Sequence, residues 1–386
     1  MKTKSTELGN IPPEHKEVSP WFTTCRITWV SVLVRLVLVF RLLPPDLAAW
    51  IQSVGLASTL ASPVYTLDHV REATAIRRLM APHRFADAYQ GHQIHLPPLV
   101  LACLQPFVVS IPTDYWQHAV LGVVLLVVDF LIAKLLEELG RALLQRAKDD
   151  CLEEESLQRV MPQVIQPKLS HIFPLWANTS SASDDASNAE NEPLLRMQEL
   201  PFLVAQLYFS SPITALSSGA FDCFQSIRTL LILISIVQTC RPSGSIVVAA
   251  LSLAAATYFE IHSLVFLVPS AIFLYERMGQ GAVITFVICF GIFTDSLHGL
   301  SLLLVGPAEY GSILLTTHGH VFQLAGVTPS LSVLWYFAME LFERFIGYFT
   351  ILLGGLPYLL VAPTTIRLYR YPIELVCGLF SEVPQF

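Results

Sequence analysis

The chain has 386 residues, 53% of them hydrophobic and only 14% charged, with a formal net charge of −7 and a mean hydropathy of +0.57. An average soluble domain is about 25% charged, so this composition excludes an ordinary soluble protein and reads as an all-α polytopic membrane protein. A pI near 5.9 offers no basic surface for nucleic acid, and the few Lys and Arg sit beside apolar runs, where they report topology.

The N-terminal tail, 1–26, is polar and has no cleavable signal pattern, so the first apolar run, 27–43, acts as its own anchor. The second run is 116–136, followed by a charged, partly disordered loop to about 197. Further apolar runs, some of them shorter than the roughly 20 residues that a bilayer core of about 30 Å requires, cover 200–217, 225–240, 245–259, 262–275, 281–305 and 346–366. Together 198–386 reads as a multispanning bundle. Lys2, Lys4, Lys16 and Arg26 precede the first run, and Arg141, Arg146 and Lys148 follow the second, so both flanks are expected in the cytosol. Loop 46–96 and residues 306–330 then face the lumen, while Arg241, Arg277, Arg367 and Arg370 face the cytosol. The segment 97–112 carries prolines at 97, 98, 106 and 112, each costly inside a helix, and reads as re-entrant or interfacial. The sequon at Asn178 falls in the cytosolic loop 137–197 and is expected to stay bare.

Charges at membrane depth usually face other helices and pair. Arg35, near the middle of the first run, and Asp129, in the second, are therefore expected to form an intramembrane pair, either a structural bridge or a direct ligand contact. In VLWYFAMELFERFIGYFTIL, 333–352, helical spacing puts Trp335, Ala338, Met339, Phe342, Phe345 and Phe349 on one face. Tyr336, Glu340, Glu343, Arg344 and Gly347 cluster on another. Residues 331–345 thus read as an amphipathic aromatic helix at the lumenal interface, serving as an anchor or as one wall of a lipid groove.

Catalytic and nucleotide-binding patterns such as GxSxG, HExxH and the P-loop are absent from the sequence. The seven cysteines form no CxxC pair, and the histidines, among them His95, His298, His318 and His320, read as scattered and solvated. No cofactor and no metal is expected.

The segment VTPSLSVLWYFAMELFERF, 327–345, resembles the signature of the phosphatidylinositol glycan class U family, a multispanning subunit of the GPI transamidase of the endoplasmic reticulum. PTTIRLYRYPIE at 363–374, LYFSSPITALSSGAFDCFQSIRTLLILISI at 207–236 and AAATYFEIHSLVFLVPSAIFLYER at 254–277 resemble it as well. The family places Tyr-Pro where this chain has His262-Ser263, so a weaker helix break is expected there. It also continues with more spans beyond Phe386, so the chain is expected to be C-terminally truncated.

The resemblance implies a multispanning bundle similar to lumen-facing, GT-C-like glycosyltransferases. It also implies a non-catalytic, multi-pass subunit of the endoplasmic reticulum membrane. Its partners would be the other transamidase subunits, including the proteinase-like catalytic one, and it would help present the GPI lipid for attachment to proproteins. Trp335, Tyr336, Phe337, Phe342 and Phe345 would line an apolar groove, with Glu340 and Glu343 at its polar rim. The rival is a dolichyl-phosphate-mannose-dependent GPI mannosyltransferase, which needs a paired acid in the lumenal loop after the first span. That loop has only isolated acids, Asp46, Asp68, Glu72 and Asp87, and the scaffold reading is favoured.

Overall fold

The structure, a computed structural model, describes residues 26–40, 67–79, 85–89, 94–111, 113–160, 192–219 and 224–319, together with 348, 355, 356, 358–361, 363, 365 and 366. Among the described residues the regular structure is entirely helical, as it must be for chain in lipid that has no water to satisfy its backbone. Three helical stretches are long and apolar enough to cross a membrane: Asp114–Gln145, Ile261–Met278 and Gln280–Val305. The chain is an all-α, multispanning membrane protein.

Helix α1 is Arg26–Val39, and α2, Leu67–Leu79, is an amphipathic helix in the loop that follows. After a 3-10 turn at Phe85–Tyr89 comes α3, Pro98–Ser110, across the proline-rich segment read as re-entrant or interfacial. Three of its four prolines are harmless by position. Pro97 is the N-cap, Pro98 occupies the first turn, where its missing N–H has no partner to lose, and Pro112 follows the extended C-cap Ile111. Only Pro106 lies inside, and at 13 residues the helix rises about 20 Å, short of a full crossing.

Helix α4, Asp114–Val160, runs for 47 residues, or about 70 Å, more than twice the hydrocarbon core. The expectation of a charged loop from 137 is corrected here: residues 137–160 continue the helix. RALLQRAKDDCLEEESLQRV, 141–160, contains no Gly or Pro and is rich in strong helix formers, so the helix outlasts its apolar stretch. Another difference lies at 200–217, read as one run. The structure divides it into α5, Glu192–Ser210, and α6, Pro212–Gly219. Pro212 has no N–H to give the Tyr208 carbonyl, which is met instead by the Ser211 N–H at 3.2 Å and the Thr214 hydroxyl at 2.9 Å.

Helices α7, Gln225–Cys240, and α8, Ile246–Phe259, form an antiparallel hairpin over the short RPSGS link. Ser245 caps α8 by accepting from the Val248 N–H. The apolar run at 262–275 opens with a 3-10 turn, Ile261–Phe266, and continues as α9, Leu267–Met278. The expected weak break after α8 is thus a full one even without the family's proline: Glu260 takes an extended backbone, φ −154° and ψ 125°, and its carboxylate is drawn to Arg228. Gly279, at φ 79°, allows the sharp reversal into α10, Gln280–Val305. Gly306, at φ 97°, does the same before α11, Pro307–Thr317.

The main core joins α4, α7, α8, α9 and α10, with Ile132, Leu233, Ile236, Leu253, Phe273 and Phe286 buried together. The alanines of α8 at 249, 250, 254 and 256 are all buried, and such small side chains let neighbouring helices approach closely. A second core packs the α2 and α3 region on Leu121, Leu125 and Phe259.

Candidate functional site

Two polar centres interrupt these apolar cores. At the first, the Arg35 guanidinium of α1 is ion-paired with Asp129 of α4, and the two side chains are 1% and 0% exposed. The break between α5 and α6 completes the setting. Arg35 donates to the Phe209 carbonyl at 3.0 Å, the Thr214 hydroxyl at 2.8 Å and the Ser218 hydroxyl at 3.1 Å. It also lies 4.6 Å from the centre of the Phe209 ring, a cation–π contact between two buried side chains. Ser31, one turn earlier in α1, donates to the same Phe209 carbonyl at 2.8 Å, and Tyr208 donates to Asp129 at 3.4 Å. Arg35 therefore ties α1, α4, α5 and α6 together. The close approach of α1 and α4 depends on Gly122, where a Cβ would lie 2.9 Å from both Val39 methyl carbons.

The second centre gathers side chains far apart in sequence. The Tyr258 hydroxyl, at the end of α8, accepts from the Leu99 N–H at 3.1 Å, satisfying a free donor in the first turn of α3. It lies 2.5 Å from the Ser301 oxygen of α10. Ser301 places its one proton on the Leu297 carbonyl at 2.8 Å, so Tyr258 is the donor between them. The ring of Tyr258 packs edge-on to His298 at 5.4 Å and to His318 at 6.2 Å, and the two imidazoles are 5.7 Å apart. Nδ1 of His298 bonds the Tyr310 hydroxyl at 2.6 Å, and Nδ1 of His95 bonds the Thr316 carbonyl at 2.7 Å. Burial, followed by the neighbouring His298, pushes the His318 imidazole down to about 4. These histidines are half-buried, contrary to the solvated reading. Among the described residues no group of three or more His, Cys, Asp or Glu could hold a metal ion.

The opposite end carries the charges. Glu137 is fully buried and paired with Arg141 and Lys134, and Arg241 reaches Glu138 at 3.3 Å. Arg277 donates to the terminal carbonyls of α7, Thr239 at 2.9 Å and Gln238 at 3.1 Å, a placement favoured by the helix dipole.

Of the residues singled out from the sequence, the structure brings Arg35 and Asp129 together. Trp335, Tyr336, Phe337, Glu340, Phe342, Glu343 and Phe345 lie outside the described residues, as do Arg344, Arg367, Arg370 and His320. Sequence reading missed the ion pair of Arg228 with Glu260, although a signal existed: Arg228 falls inside an apolar run and Glu260 just past another, and membrane charges should be sought in pairs. No sequence signal announced the convergence on Tyr258, because its members come from α8, α10, α11 and the 94–99 segment.

Residues 29–382 match the family described as "GPI transamidase subunit PIG-U". The chain is 28% identical over 200 residues to the human "GPI-anchor transamidase component PIGU", covering 46% of this chain and 42% of the human protein. It is 25% identical over 181 residues to the Schizosaccharomyces pombe "GPI transamidase component GAB1 homolog", covering 47% of this chain and 43% of that protein. The matched stretch thus spans less than half the length of these relatives. With the family matched over most of its length and its apolar runs folded as a helical bundle, the chain belongs to the PIG-U family of GPI transamidase subunits.

Proposed function

We propose that this chain is a non-catalytic subunit of the GPI transamidase complex in the endoplasmic reticulum membrane, where it helps to recognise or present the GPI lipid for attachment to the C-terminus of proproteins. The observation that carries this reading is the family match over residues 29–382. Its partners are the other subunits of the complex, including the proteinase-like catalytic one.

The geometry supports the reading. A lipid with a glycan head needs an apolar wall below a polar rim, and the end of α10 provides both: exposed Leu300, Leu302 and Leu303 beside the hydroxyl and imidazole groups of Tyr258, His298 and Tyr310. The aromatic segment with Trp335, Phe337, Phe342 and Phe345, and Glu340 and Glu343 as its acids, is proposed as a further lipid contact. The mannosyltransferase alternative is not favoured. Among the described acids of its loop, Asp87 is buried within the 3-10 turn, while Asp68, paired with Arg71 at 2.8 Å, and Glu72 lie one turn apart on α2; none forms the Asp-x-Asp pair that such a transferase uses.

The test is complementation in cells lacking the endogenous subunit. Restored surface GPI-anchored protein, together with co-purification of the proteinase-like subunit, supports the proposal. Correction of under-mannosylated precursors instead would assign the chain to the transferases.

A further inference from the structure

Helix α10 is the outlier among the membrane helices. Only 6% of its apolar stretch is buried, against 44% for Asp114–Gln145 and for Ile261–Met278. It packs through Ala282, Phe286, Phe290 and Ser301, which are buried, and shows the rest of its surface outward. Near the middle of that outward surface stands Asp295, exposed and roughly 180° round the helix from the packed positions. It lies about 4 Å along the axis from the centre of the helix, at the depth where a carboxylate is most expensive.

Two exposed hydroxyls on this helix are satisfied within it. Thr285 donates to the Gly281 carbonyl at 2.9 Å, and Ser296 donates to the Ile292 carbonyl at 2.6 Å. A hydroxyl can do this because it carries a proton; an ionised carboxylate only accepts and has no such escape. His298, one turn along the helix, feels the charge of Asp295, but its Nδ1 is engaged by the Tyr310 hydroxyl at 2.6 Å. The arginines that could have answered the charge are committed: Arg35 to Asp129, Arg228 to Glu260, Arg241 to Glu138 and Arg277 to the carbonyls of α7. Among the described residues no hydrogen bond or ion pair reaches Asp295.

We infer that the outward face of α10 is an interface for a transmembrane helix of another protein, one that presents a Lys or Arg side chain to Asp295 at mid-bilayer depth. Charge complementarity selects this occupant. A second copy docking through the same face would set two carboxylates against each other, and lipid alone would leave the charge unanswered. The surface around Asp295 suits a close helix. Gly291 and Gly299 lie one turn to either side of it, and a Cβ built on either meets nothing within 4 Å, so a partner backbone can come near enough for its basic side chain to reach the carboxylate. The partner is expected within the complex of the proposed function, and that identification alone rests on that reading.

The experiment uses the full chain in native microsomes with a photoreactive residue in place of Ile288 or Ile292, both exposed on α10, and with Leu131 of α4 as the control position. The expected result is a crosslink from α10, absent from the control, whose partner peptide is a membrane span containing Lys or Arg. Asp295→Arg should reduce that crosslink about tenfold or more, and Asp295→Asn should reduce it less. Changing the partner's basic residue to Asp should restore the crosslink to the Asp295→Arg chain. Adducts with lipid alone, with a second copy, or with residues 320–386 of the same chain would overturn the inference, as would a crosslink indifferent to Asp295→Arg. A charge-dependent partner outside GPI attachment would leave this interface standing and sink the proposed function.

Discussion

Arg35 of α1 and Asp129 of α4, 94 positions apart in the chain, form an ion pair from which solvent is excluded, and the Phe209 carbonyl at the α5–α6 break accepts a further hydrogen bond from the guanidinium. Coulomb attraction alone does not make such a pair stabilising. The hydroxyls of Thr214 and Ser218 and the Phe209 ring share the load of desolvation.

Arg35→Ala and Asp129→Ala should each lower the stability of the folded chain by about 3–5 kcal/mol, because each leaves a buried charge without its counterion. The double substitution should lose less than the sum. Thermal unfolding of the four proteins in detergent measures the coupling, and strict additivity would show that the two charges do not depend on each other.

Gly122→Ala should destabilise the α1–α4 contact by about 1–3 kcal/mol, the usual penalty for overpacking, since the new Cβ meets both Val39 methyl carbons at 2.9 Å. Adding Val39→Ala should recover part of the loss. If the second substitution brings no recovery in melting temperature, the clash lies elsewhere.

His318 is held neutral in the folded chain, its pKa lowered from 6.5 to about 4 by burial and by His298. Between those values the unfolded chain binds the extra proton and the folded chain does not, so stability is fully present above about pH 6.5 and drains away as pH falls toward 4. His318→Asn should flatten the dependence of melting temperature on pH across that window. An unchanged slope would mean that His318 takes up its proton in the folded state at an ordinary pH.

Glu340→Gln should reduce GPI transfer to proproteins several-fold while leaving abundance and subunit association intact, since Gln keeps the size of the side chain and removes its charge. If the segment merely anchors the chain, the change would be nearly silent, because a helical i, i+4 pairing with Arg344, as the sequence spacing predicts, is worth only about 0.2–0.5 kcal/mol. Surface GPI-anchored protein, precursor lipid and complex recovery, measured together, separate the two. Normal surface levels with normal recovery would remove Glu340 from lipid presentation.

The membrane class of this chain, the positions of most of its apolar helices and the choice of Arg35 and Asp129 were legible in the sequence. Each follows from a local property: an apolar run in lipid has to form a helix, and a charge within it has to find a partner. The length of α4 was equally local but was masked by attention to hydropathy, which ends near 136, whereas helix propensity continues to 160. Tertiary structure alone decided the rest. The convergence of His298 and His318 on Tyr258 depends on which ends of α8, α10 and α11 meet, and the extended backbone at Glu260 on the nearness of Arg228, 32 positions away. The outward aim of Asp295 depends on which face of α10 the core occupies. Periodicity within one helix can place a residue on a face, but only the packing of the other helices determines whether that face meets protein or lipid.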